Sequence, residues 1–229
     1  MPIDALLFDK DGTLFDFGAT WNTWAGRVLL ELGGNDSDRA QDMAATLRYD
    51  WDAQAFFPDS FVIAGTNGEV AEALAPHVPQ MSAAEVERFL AERAGEADLS
   101  PAVPLAPFLD GLTTRGKTLG VMTNDSELSA RSQLTRAGVL DRFAFVAGFD
   151  SGHGEKPDPD PLLAFCTAVD VAPDRTAMVG DSAHDLIAGR AAGMTTIGVL
   201  TGPASAADLA PLADVVLPDI GHIPTWLAR

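Results

Sequence analysis

Short apolar runs alternate with amphipathic stretches along the C-terminal half of this chain, and glycine, proline or aspartate punctuates most of the joins. The apolar, β-branched runs predict strands at Ala5–Asp9, Thr118–Thr123, Ala144–Ala147, Thr176–Gly180, Thr195–Val199 and Val215–Leu217. Between them, apolar residues recur at helical spacing around Glu127–Ala137, Pro161–Val169, Ala183–Ala192 and Ala206–Ala210. Gly138 and Gly193 each follow a helical stretch, where a left-handed residue commonly closes a helix. Strand and helix in strict alternation imply an α/β fold built on a Rossmann-like parallel sheet.

The interval from Trp21 to Leu99 has a different texture. Apolar pairs such as Val28, Leu29, Leu32 and Val86, Phe89, Leu90 keep a helical period, and no β run stands out. Gly33-Gly34, Pro58, the cluster Gly65 to Gly68, and Pro76 to Pro79 divide it into several short helices. A helical block after the first strand and before all the others reads as an inserted subdomain. The expected division is a core of residues 1–17 and 100–229 with a helical insert over 18–99, and Pro101, Pro104 and Pro107 mark the return.

Composition narrows the partners. The 229 residues carry a formal net charge of −18 and only three lysines, Lys10, Lys117 and Lys156. A polyanion is repelled by such a surface, so neither nucleic acid nor an anionic membrane is an expected partner. Cys166 is the only cysteine, which excludes an intrachain disulfide and any two-cysteine metal motif. The apolar run near the N-terminus is too short for a signal peptide, and no segment has the ~20 apolar residues of a membrane helix. A cytoplasmic protein is the expectation.

Candidate chemistry gathers at the predicted strand ends, where parallel α/β sheets bind their ligands. Asp9 and Asp11 flank Lys10 at the tip of the first strand, ahead of Gly12-Thr13-Leu14. Thr123-Asn124-Asp125-Ser126 follows the second strand; its hydroxyl and amides suit a phosphate, and equally well a plain helix cap at Asp125 or Ser126. Lys156-Pro157 lies after the third strand, as an anion-neutralising charge or an ordinary surface lysine. Gly180-Asp181 with Asp185 follows the fourth. The spacing of four puts both carboxylates on one helix face, as hard-cation ligands or as acids favoured by the helix dipole.

Together these four motifs, in this order, resemble the haloacid dehalogenase-like superfamily, and in particular its phosphoglycolate phosphatase-like group with a helical cap. The resemblance extends through Ala191 to Val199 and covers the core well, the cap only by position and helicity. It implies an Asp9 nucleophile forming an aspartyl-phosphate, and Asp11 as general acid and base. It implies Mg²⁺ held by Asp9, the Asp11 carbonyl, Asp181 and Asp185, and phosphate oxygens held by Thr123, Asn124 and Lys156. The implied activity is hydrolysis of a small phosphomonoester, phosphoglycolate-like or a sugar phosphate, beneath a cap that closes as a lid. A phosphomutase resembling β-phosphoglucomutase and a non-catalytic phosphate-binding module are the alternatives. Asp11 argues against dehalogenation, and the absence of lysine from Phe15 to Val103 argues against a cap Schiff base. Lys10 stands where the group often has a small apolar residue; its side chain either lends positive potential at the mouth of the site or simply reaches solvent, and the second is the preferred expectation. In the insert, Arg48 beside Trp51 is the preferred candidate for clamping a second anionic group of the substrate. Oligomeric state is not legible.

Overall fold

The structure, a computed structural model, describes residues 2–57, 59–63 and 65–228. Strand β1 (Ala5–Phe8) is followed by α1 (Phe17–Leu32), α2 (Ser37–Thr46), the two-residue strands β2 (Tyr49–Asp50) and β3 (Ala55–Phe56), α3 (Asn67–Leu74) and α4 (Ala83–Gly95). Helix α5 (Leu105–Thr114) then leads into β4 (Thr118–Met122), α6 (Glu127–Arg136), β5 (Phe145–Ala147), α7 (Asp160–Val169) and β6 (Thr176–Gly180). The chain ends through α8 (Ala183–Ala191), β7 (Thr195–Val199), α9 (Ala206–Leu209), β8 (Val215–Leu217) and α10 (Ile223–Trp226). Two compact units result: Met1–Phe17 with Leu99–Arg229, and Gly18–Asp98.

In the first unit the six long-range strands form one parallel sheet in the order β5-β4-β1-β6-β7-β8. All six lie where the apolar runs predict them, with ends differing by a residue; β1 stops at Phe8, one short of Asp9. Alternation on β1 divides its side chains between two cores. Leu6 and Phe8 join Leu119, Val121, Val179 and Ile197, whereas Ala5 and Leu7 join Met122, Phe165 and Met178. Each large apolar side chain of β1 is fully buried, a contribution of about 1.5–3 kcal/mol apiece before conformational entropy is set against it. Gly120 lets Phe165 of α7 lie flat on β4: a Cβ there would sit 2.6 Å from the ring.

The order in which strands are added reverses around β1. After β1 the chain builds β4 and β5 on one side, then crosses back to build β6, β7 and β8 on the other. The carboxyl end of β1 is therefore the topological switch point of the sheet, the place where such folds open a crevice. Gly138 and Gly193 close α6 and α8 at φ 69° and 78°, as their positions predict. The outgoing and returning chains pair in one short antiparallel bridge, Phe15 with Pro101, closed by Asp16 N to Ser100 O at 2.8 Å and Ala102 N to Leu14 O at 2.9 Å.

The second unit packs α1 to α4 around Val28, Leu29, Met43, Leu74, Val86 and Leu90. It is not free of β structure, contrary to expectation: β2 and β3 pair as an antiparallel hairpin, with the Tyr49 ring against Phe56 and its hydroxyl donating to Asn22 O at 2.7 Å. Two residues per strand are too few for alternation to register in a sequence. Among the described residues no helix is long and apolar enough to cross a membrane.

Candidate active site

Four side chains meet at the switch point. β1 delivers Asp9, whose amide still bonds to Val179 O on β6 at 2.8 Å, so the nucleophile candidate is held by the last rung of the sheet. The loop after β6 delivers Asp181, and the first turn of α8 delivers Asp185. Lys156 arrives from the loop after β5. Its Nζ donates to Asp9 Oδ1 at 2.5 Å and to Asp185 Oδ1 at 2.6 Å. Thr13 donates its hydroxyl to Asp181 Oδ1 at 3.0 Å.

All four charged groups are buried, none more than 7% exposed. Three carboxylates against one ammonium leave an excess of negative charge in low dielectric. Burial pushes Asp9 up to about 7, with Asp185 and Asp11 adding to the push and Lys156 pulling the other way. Burial, then Asp9 and Asp185, hold Asp181 well above the usual carboxylate range. Burial works against the Lys156 ammonium, but Asp185 and Asp9 outweigh it and raise its pKa above the ordinary lysine value. Ligand oxygens of Asp9, Asp181 and Asp185 lie within 4.8 Å of one another. An all-oxygen, net-negative donor set of this kind suits a hard divalent cation.

Local sequence explains how the carboxylates come so close. Gly202, in the loop after β7, and Gly12, at φ 81°, lie against Asp181 so tightly that a Cβ on either would overlap its carboxylate. Thr201 ties the same loop to the β1 turn by donating to Gly12 O at 2.6 Å. Asp185 closes a capping box with Ser182: its Oδ2 accepts from the Ser182 amide at 3.0 Å and hydroxyl at 2.7 Å, while Oδ1 serves Lys156. One carboxylate thus caps α8 with one oxygen and faces Lys156 with the other.

The sequence profile of haloacid dehalogenase-like hydrolases matches residues 3–193, with Asp9, Lys156, Asp181 and Asp185 all inside the match. The chain belongs to the haloacid dehalogenase-like hydrolase family. This hydrolase is 30% identical to the phosphoglycolate phosphatase of Nitrosospira multiformis over 228 residues, which covers 96% of its own chain and 93% of the relative. It superposes on a predicted phosphoglycolate phosphatase from Haemophilus somnus with TM-score 0.73 at 20% identity, covering 98% of this chain and 97% of that one. CbbY from Rhodobacter sphaeroides, solved in complex with phosphate, gives TM-score 0.69 at 23% identity, with 96% of each chain covered. The two structural likenesses establish the fold; the sequence matches establish the family.

Several of the hydrolase's residues sit otherwise than their spacing suggests. Asp181 and Asp185 do not share a helix face, because α8 begins only at Ala183; the strand-to-helix turn brings them together instead. The Asn124 carboxamide is engaged with the backbone of Lys156, accepting from its amide at 3.0 Å and donating to its carbonyl at 2.9 Å. Thr123 is buried at the end of β4 and its hydroxyl accepts from the Asp125 amide at 3.1 Å, while Ser126 caps α6. Asp11 is half-buried, and its carboxylate is not in the Asp9–Asp181–Asp185 group. Arg48, in the second unit, makes a bidentate pair with Asp59 at 2.8 and 2.9 Å and lies over the Phe57 ring.

Lys10 departs furthest from expectation. Instead of reaching solvent it is completely buried, with Nζ 2.5 Å from both Asp11 Oδ2 and Gln133 Oε1 and 3.3 Å from Asp125 Oδ2. Burial opposes its charge, yet Asp11 and Asp125 carry its pKa above the ordinary value. Spacing gave no signal for Gly202 or Gln133, which act across the fold; the one hint was a lysine where the group that the chain resembles often has a small apolar residue.

Proposed function

We propose that this hydrolase is a Mg²⁺-dependent phosphatase that cleaves a small phosphomonoester, phosphoglycolate-like or a sugar phosphate, through an aspartyl-phosphate on Asp9. The observation that carries the reading is the Lys156 ammonium on Asp9 Oδ1, beside Asp181 and Asp185, at the sheet's switch point. Asp9, Asp181 and Asp185, with the Asp11 carbonyl, would hold the ion, which when bound supplies positive charge for the phosphoryl oxygens. A cytoplasmic setting accords with Cys166, which has no second cysteine to pair with.

In this reading the free oxygen of the Asp9 carboxylate attacks phosphorus while the bond to the leaving oxygen breaks. Asp11 gives that oxygen a proton as it departs. Water then attacks the aspartyl-phosphate, Asp11 takes its proton, and inorganic phosphate and the Asp9 carboxylate are regenerated. Lys156 and the Thr123 hydroxyl face the equatorial oxygens, where charge spreads during transfer. The Asn124 carboxamide serves by holding the Lys156 backbone.

The test is inorganic phosphate release from a panel of phosphomonoesters, including 2-phosphoglycolate, hexose phosphates and nucleotides, with Mg²⁺ or with EDTA. EDTA-insensitive release, or no release from any member, would remove the proposal. Metal affinity should also follow pH. Because Asp9 and Asp181 hold protons more tightly than ordinary carboxylates, cation binding must displace them. Affinity for Mg²⁺ is expected to rise with pH, by up to about tenfold per unit below about pH 7 for the proton that Asp9 gives up, and Asp181 adds to the rise in the same direction. Isothermal titration in buffers of different ionisation enthalpy measures that release, and pH-independent affinity would contradict it.

A further inference from the structure

Among the described residues, Lys10 is the one buried cation that the chemistry above leaves unused. A lysine interior to a protein has lost both its hydration and about 2 kcal/mol of rotamer entropy, and an apolar residue would fill the same volume without the first of these costs. Here each ammonium hydrogen has an acceptor within reach: Asp11 Oδ2, Gln133 Oε1 and Asp125 Oδ2. Two of those acceptors are fixed from behind. Gln133 is fully buried on α6. Asp125 accepts from the Ser126 amide and the Ser129 hydroxyl, both at 2.7 Å. The Lys10 main chain is pinned as well, its carbonyl accepting from the amides of Leu14 and Phe15 at 3.0 and 3.1 Å. The third acceptor, the Asp11 carboxylate, retains 19% exposure. The ammonium thus ties one partly exposed acid to a rigid support spanning α6 and the loop after β4.

We propose that Lys10 is a positioning residue for the acid–base step: anchored on Gln133 and Asp125, its ammonium fixes the Asp11 carboxylate in the orientation from which it serves the leaving oxygen. The proposal rests on the reading of Asp11 as acid and base, and it extends that reading to how the acid is oriented. One Asp11 oxygen is committed to Lys10, so the other is the atom that exchanges protons with substrate. Free rotation of the carboxylate would lose that assignment, since proton transfer depends on a heavy-atom separation of about 2.6–3.2 Å.

Leaving-group dependence tests this. p-Nitrophenolate departs without a proton, whereas phenolate from phenyl phosphate needs one more urgently, and kcat/KM reports on the step in which they leave. Lys10→Met is expected to lower kcat/KM for phenyl phosphate by about 10- to 100-fold and for p-nitrophenyl phosphate by no more than about threefold. Asp11→Ala should show the same split, larger, and adding Lys10→Met to it should cost nothing further. A split in Asp11→Ala without one in Lys10→Met, or an equal loss on both substrates in Lys10→Met, overturns the proposal and leaves Asp11's role standing. No split in Asp11→Ala removes the acid–base reading and the proposal with it. Should Lys10→Met fail to fold, Gln133→Met decides, since it takes away the anchor and keeps the ammonium. A split in the same direction of about 3- to 10-fold supports the proposal, and an unchanged ratio overturns it.

Discussion

Asp9→Asn is expected to abolish phosphate release, by about 10⁴-fold or more in kcat, the scale on which loss of a reacting side chain acts in other enzymes. The change is nearly isosteric, so Lys156 keeps Asp185 and the sheet keeps its last rung at Val179. A carboxamide, however, has no anionic oxygen with which to form the acyl phosphate. Acid-quenched enzyme after incubation with ³²P-labelled substrate should carry no label, and turnover near the wild-type rate would dismiss the nucleophile. The same variant has a stability signature. Asp9 titrates near 7 in the folded chain against 3.8 for the ordinary group, so between these values the native state binds a proton that the unfolded chain does not. Its contribution to stability is complete below about pH 4 and is lost as pH rises through 7. In metal-free melts from pH 4.5 to 8, wild type should therefore fall relative to Asp9→Asn, and parallel curves would contradict the assignment.

Lys156→Met should do more damage to the fold than to any single contact. It strips the counter-ion from two buried carboxylates, and breaking a buried pair from one side typically costs about 3–5 kcal/mol. Stability of the metal-free protein is expected to drop by that order in urea unfolding, with saturating Mg²⁺ recovering part of it because a cation again opposes the excess negative charge. Turnover should fall by about 10²–10³-fold even when the protein is folded and metal-loaded, as on removal of one preorganised donor to a transition-state oxyanion. Lys156→Arg is not expected to rescue: a planar fork cannot place one nitrogen within 2.6 Å of both Asp9 and Asp185 from the same backbone. Full stability of Lys156→Met without metal would mean that the two acids do not share their charge with this ammonium.

The architecture was largely legible because burial writes itself locally. A buried parallel strand is dominated by apolar and β-branched residues, so Ala5–Phe8, Thr176–Gly180 and Thr195–Val199 announce themselves, and the ends of the first two locate Asp9 and Asp181 without further information. What was not legible depends on partners remote in sequence. Lys10 meets Gln133 across 123 residues, and no local pattern distinguishes a lysine that will be enclosed from one that will not. Gly202 is required only because Asp181 occupies the space its side chain would need. The resemblance implies Asn124 as a phosphate ligand, and its contact with Lys156 had no signal in the sequence: its two polar atoms match the spacing of a peptide's N–H and C=O, and Lys156 presents both. The short hairpin at Tyr49 and Ala55 escaped for lack of length, and Arg48 was already matched to Asp59 within its own unit.

Asp185 is asked to be two things through its two oxygens, a peg for the first turn of α8 and a counter-ion for Lys156. Tolerance at this position is consequently asymmetric. Asparagine can still accept from Ser182 and spare the helix while weakening the grip on the lysine, whereas alanine forfeits both at once, so fraying of α8 and impairment of chemistry arrive as one phenotype. Amide exchange at the start of that helix becomes a remote gauge of the electrical balance among the acids beside it.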